Sequence, residues 1–129
     1  MRRHFSYPEL TRYEAPEVDF RRYARLIIDE ELFSEAPLDA GVFEYPAGTR
    51  CPEHAHENGI EIYFVLDGQL VSVMGGKEYI LNKYDLLYIP KREVHRLENR
   101  GHVQATFLAI HVPPSGEGPK FRKLWNKVR

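Results

Sequence analysis

Cysteine is nearly missing from this chain: of 129 residues only Cys51 is one. No disulfide can form within it, so neither a secreted disulfide scaffold nor an all-cysteine zinc site is available. An excess of one charge is missing too. With 18 Lys+Arg against 19 Asp+Glu, no protein-wide field favours nucleic acid or an anionic lipid surface. Long apolar runs are also absent, since the longest, Ile60 to Leu66, is interrupted by Glu61 and is far too short to cross a bilayer. The start, Met1-Arg2-Arg3-His4, leads into polar sequence rather than the apolar stretch of a signal peptide, and a cytoplasmic location is expected. No internal repeat, low-complexity stretch, phosphate-cradling glycine loop or serine-centred triad stands out.

The remaining composition, 43% hydrophobic and 29% charged, is that of one soluble globular domain over 1–129. A chain of this length buries roughly 65–70% of its unfolded surface, enough for a core without disulfide staples. The dominant signal has period two. Segments rich in β-branched and aromatic residues at 23–28, 38–45, 60–67, 69–74, 78–81, 86–89, 95–99 and 104–111 are separated by turn residues such as Asp67-Gly68, Gly75-Gly76 and Pro90. About eight short strands with frequent hairpin signals predict an all-β sandwich or barrel of antiparallel sheets, with its core over about 22–112. An N-terminal arm, 1–21, and a tail, 113–129, flank it. In the tail Phe121, Leu124, Trp125 and Val128 fall at i, i+3, i+4 and i+7, predicting a short helix or turn with an apolar stripe.

His54 and His56, one residue apart, face the same side of an extended chain and can share a metal. After a turn with positive φ at Asn58-Gly59, Glu61 can face the same cavity, and His95 can arrive by closure of a second sheet. Three imidazoles and a carboxylate suit a divalent transition metal and leave positions open for water or substrate. Against this, two strand histidines alone are more often exposed or hydrogen-bonded than ligating.

The wider pattern resembles the cupin superfamily in both of its motifs. Gly48, His54, His56, Glu61 and Gly68 match G(x)5HxH(x)3–4E(x)6G in full, and Pro90, His95 and Asn99 match G(x)5PxG(x)2H(x)3N. Tyr84 and Arg92 stand where that second motif has glycines. The resemblance implies a double-stranded β-helix, or jelly-roll, barrel with His54, His56, Glu61 and His95 as ligands of one divalent ion per chain, whether Fe, Mn, Ni, Zn or Co. It also implies a small-molecule substrate and pairing into a homodimer.

Other residues carry weaker expectations. Tyr63 shares the face of Glu61 and is a candidate acid or base. Arg50, if strand pairing continues past Pro52, shares the parity of His54 and is a candidate substrate contact. Cys51 has the opposite parity and is expected to be a buried, inert thiol. His4, His102 and His111 are expected to face solvent, and Asn99 to satisfy backbone groups. Arg21, Arg22 and Arg25 with the basic tail form a disfavoured phosphate patch. Ile60, Ile62, Phe64 and Leu66 make an outward face too apolar for water, to be covered by the N-terminal segment, the stripe around Trp125, or a second copy. Three functions follow: a ferrous-iron-type dioxygenase, a Lewis-acid isomerase or lyase using Tyr63, or a non-catalytic module binding a sugar-like ligand.

Overall fold

A computed structural model describes residues 2–17, 20–114 and 122–128. After a 3-10 turn at Tyr7–Glu9, ten strands follow in chain order: β1 (Arg12–Glu14), β2 (Tyr23–Ile28), β3 (Asp39–Tyr45), β4 (Ile60–Asp67), β5 (Leu70–Met74), β6 (Lys77–Leu81), β7 (Leu86–Ile89), β8 (His95–Glu98), β9 (Ala105–Val112) and β10 (Asn126–Val128). They form a seven-stranded sheet, ordered β10-β1-β2-β3-β9-β4-β7, and a three-stranded sheet, β6-β5-β8. All pairs are antiparallel. This is the all-β, two-sheet jelly roll expected, with β2 to β9 within a residue or two of the expected bounds.

Alternation explains why these residues fold this way. Along β4, Glu61, Tyr63 and Val65 are buried while Ile60, Ile62, Phe64 and Leu66 are half-exposed, and β9 alternates likewise, burying Ala105, Phe107, Ala109 and His111. The buried set meets Leu70, Leu81, Ile89 and Leu97 in one core between the sheets. Phe107 sits at its centre, stacked on Phe43 at 5.3 Å and edge-on to Tyr45 and Tyr63 at 5.1 and 5.2 Å. Asn99 ties the strand ends as expected. Its Nδ2 donates to Tyr45 O and Val103 O, both at 2.8 Å, and its Oδ1 accepts from Gly101 N–H at 3.0 Å.

Three expectations need correction. Among its described residues the tail is helical over 122–124 and then forms β10, because Asn126, Lys127 and Val128 find open backbone partners on β1; Phe121 lies outside the described residues. Gly59 has no positive φ. It is needed for close approach, since a Cβ there would sit 2.7 Å from Val112 O. Finally, Trp125 does not cover the isoleucine face, because it packs against Phe43 at the opposite, inner surface of the sheet.

The positions where the resemblance puts glycine, Tyr84 and Arg92, both adopt positive φ, 70° and 65°. The turns therefore keep their left-handed shape and carry the steric strain of a Cβ. Gly68, at φ 76°, has in addition no room, as a Cβ would lie 2.8 Å from Gln104 O. Arg92→Gly is expected to raise stability by about 1 kcal/mol, whereas Gly68→Ala is expected to lose about 2 kcal/mol or more, both read by urea denaturation.

Candidate metal centre

Segment 50–54 runs beside β8 without becoming a full strand: Pro52 cannot donate, and only Arg50↔Glu98 and His54↔His95 form bridges. His54 N–H donates to His95 O at 2.9 Å and His95 N–H to His54 O at 2.8 Å. This reciprocal pair sets the histidines of the two motifs directly opposite, with rings 4.3 Å apart. Glu61 comes from the large sheet, on β4. One donor atom from each of His54, His56, Glu61 and His95 lies within 4.8 Å of the other three, a group able to hold a metal ion.

The ring nitrogens are disposed for ligation. His54 Nδ1 pairs with Pro52 O and His95 Nδ1 with Glu93 O, both at 2.8 Å. A backbone carbonyl only accepts, so Nδ1 carries the proton and Nε2 presents its lone pair to the centre. His56 Nε2 is buried with no hydrogen-bond partner among the described residues and lies 3.5 Å from Glu61 Oε1. A buried orphan nitrogen beside a carboxylate is costly unless something occupies the gap, and a divalent cation fits that gap chemically.

Glu61 is the hub. It is only 4% exposed, and its Oε1 lies 3.0 Å from His95 Nε2. Its Oε2 pairs closely with His111 Nε2, and His111 Nδ1 pairs with Asp39 Oδ1 at 3.2 Å. Burial opposes ionisation of Glu61, but the imidazoles of His111, His56 and His95 gathered around it outweigh that and hold the carboxyl well below its usual range. His111, expected to face solvent, is thus buried and joined to the site. The register explains it: His111 sits opposite Glu61 on β4 and opposite Asp39 on β3. Its parity with Phe107 and Ala109 was the available signal.

The remaining candidates divide. Tyr63 is buried on the same face as Glu61 and lines the same cavity. Burial first, then the Glu61 charge, push its phenol well above 10, so it stays protonated at neutral pH. Arg50 is not brought to the site: it is exposed and lies over the Phe20 ring at 5.2 Å. Cys51 is buried as expected, but the break at Pro52 turns its thiol into the cavity, beside His54. Leu97 N–H donates to Cys51 Sγ at 3.2 Å. Burial raises that thiol, yet the bonds from His54 and Leu97 leave it below its ordinary value.

Arg22, expected on a surface patch, is instead buried in the cavity wall. The cavity, about 210 Å³, is walled by Phe43, Tyr45, Phe107 and Trp125 above the histidine cluster.

A barrel of this topology with three imidazoles and one carboxylate at its floor is a metal-binding jelly roll. The chain matches the Cupin domain family over residues 41–111, more than half its length, and belongs to it. It is 32% identical over 89 residues to the oxalate-binding protein of Thermotoga maritima, covering 69% of this chain and 73% of that one. It is 35% identical over 81 residues to quercetin 2,3-dioxygenase of Bacillus subtilis, covering 63% of this chain but 23% of that one. Across the curated relatives it matches, the chain spans from 23% to 73% of their length. Its fold superposes on the crystal structure of a "predicted oxalate decarboxylase" of Thermotoga maritima with a TM-score of 0.77 at 21% identity, covering 86% of this chain and 99% of that one.

Asp39→Ala deprives the His111 ring of a buried acceptor. It is expected to destabilise the metal-free chain by about 1–3 kcal/mol, measured by urea denaturation against the parent.

Proposed function

We propose that this cupin is a metal-dependent enzyme acting on a small molecule inside the barrel, with His54, His56, Glu61 and His95 holding one divalent transition metal per chain. Dioxygenase chemistry of the ferrous type is the first reading. The observation that carries it is the meeting of four donor atoms, two of them on rings whose other nitrogen is tied to backbone, at the floor of an aromatic-walled cavity. Iron bound there would supply dioxygen activation, and another divalent ion would supply Lewis-acid polarisation of a substrate oxygen.

The chain's own residues do the rest. Asp39 and His111 fix which Glu61 oxygen faces the cluster, because Oε2 is engaged by His111 while Oε1 faces His56 and His95. The rings of Phe43, Phe107 and Trp125 give the cavity an apolar aromatic wall for substrate. Tyr63, held protonated beside Glu61, serves as a proton donor rather than a base. That property supports the second reading, an isomerase or lyase in which Tyr63 returns a proton. The likeness to quercetin 2,3-dioxygenase supports the first, and the likeness to an oxalate-binding protein supports a module that binds without turnover.

Elemental analysis of protein purified without chelator is expected to give close to one transition metal per chain, lost in His56→Ala with the circular dichroism unchanged. Full metal retention in that variant refutes the ligand assignment. His111→Ala is expected to keep the site but weaken it roughly 10–100-fold. Oxygen uptake that depends on ferrous iron supports the dioxygenase; anaerobic turnover with manganese, nickel or zinc supports the isomerase or lyase. Ligand binding without turnover under any metal identifies the binding module.

The reading includes a homodimer through the outer face of β4 and β7. Leu86 and Tyr88, 59% and 53% exposed among the described residues, lie opposite Phe64 and Ile62 there. Sedimentation is expected to show a dimer at micromolar concentration that Leu86→Glu converts to monomer; a monomeric parent overturns this part.

A further inference from the structure

Among the described residues Arg22 is the one lysine or arginine side chain that is buried, at 6% exposure. Removing a guanidinium from water is costly unless its charge is answered, and among the described residues it is answered only in part. Arg22 Nε donates to Phe20 O at 2.9 Å, and one terminal nitrogen pairs with Glu17 Oε2 at 3.1 Å. The Glu17 side chain is 41% exposed, so water screens the charge it offers. The guanidinium packs against the rings of Trp125 and Tyr45, at 5.1 and 5.8 Å, which fixes its plane. Five N–H donors are more than these described partners use, and the group lines the same cavity as His54, His56 and Glu61.

The cavity wall joins it to the cluster. Tyr45, whose ring centre lies 5.8 Å from the Arg22 guanidinium, and Cys51 line the same cavity as Arg22 and His54. One compact molecule therefore bridges the two ends. Arg22 puts a cationic group at one end of the cavity, and a divalent ion on Glu61 would make the cluster end cationic as well. That favours a monoanion over a neutral ligand, while Glu17 opposes a dianion. The volume, about 210 Å³, lies below the roughly 300–1,000 Å³ of sites for drug-sized ligands. Its aromatic walls suit a flat apolar body.

We propose that Arg22 is a substrate-recognition residue, and that the ligand of this barrel is a small, flat carboxylic acid whose carboxylate pairs with Arg22 while its other end faces the histidine cluster. The proposal rests on the metal-site reading above and names its substrate class. The planar guanidinium matches a carboxylate in two parallel hydrogen bonds, a geometry lysine lacks.

The chain has a single tryptophan, and Trp125 lines this cavity, so intrinsic tryptophan fluorescence reads its occupancy directly. The zinc-loaded full chain is titrated with benzoate, the neutral isostere benzamide, and inorganic phosphate. Benzoate is expected to bind at least tenfold tighter than benzamide and tighter than phosphate. Arg22→Met is expected to abolish that preference, leaving benzamide within about twofold and zinc affinity within about threefold of the parent. Arg22→Lys is expected to bind benzoate several-fold more weakly than the parent, and it decides the matter should the methionine variant not fold. Equal binding of benzoate and benzamide by the parent, a preference for phosphate, or an undiminished benzoate preference in either variant overturns the proposal. Failure of zinc to bind refutes the metal-site reading instead, and benzoate selectivity in the metal-free chain then still tests Arg22.

Discussion

A negative charge enclosed by protein has to be answered by protons or cations, and the Glu61 carboxylate imposes that demand on this barrel. It stands on the inner face of β4 with almost no access to water, where an uncompensated charge costs several kcal/mol. Three imidazoles surround it, from His56, His95 and His111, and together they keep it ionised despite its burial. Those rings reach it from three separate stretches of chain: the loop before β4, the small sheet through β8, and the neighbouring strand β9. The carboxylate thus ties both sheets and the first-motif loop to one point.

Each part of the surrounding structure can be understood by its relation to that point. The row Asp39–His111–Glu61 crosses three adjacent strands at one register level and holds the carboxylate from behind. The reciprocal backbone pair between His54 and His95 holds the facing imidazoles. Segment 122–125 closes the far side: Arg122 is paired with the buried Asp29, and Trp125 is laid on Arg22 and Phe43. The result is a polar floor, an aromatic wall and a cationic edge within one small cavity.

Period two was legible in the sequence because an antiparallel strand with one buried face must alternate; hence β4 could be read residue by residue, and Glu61 and Tyr63 placed inward. Parity failed where the chain stopped being a strand. Pro52 interrupts the ladder between Arg50 and His54, so Cys51 turned into the cavity and Arg50 out of it, against a count that assumed continuous extension. At the tail, helical spacing and open strand edge competed, and backbone pairing with β1 prevailed over 126–128. His111 was a different kind of miss, since its strand was correctly expected and only its position near a proline argued for solvent.

The sequence by itself determined the strand pattern, the inward face of β4 and which four side chains meet at the candidate centre, because local alternation and motif spacing are carried by neighbouring residues. Only the tertiary structure decided that His111 and Asp39 stand behind Glu61, that Arg22 rather than Arg50 faces the cavity, and that Trp125 roofs it. These depend on cross-strand register and on which segment fills an open edge, and such contacts join residues far apart in the chain, for which no local period leaves a trace.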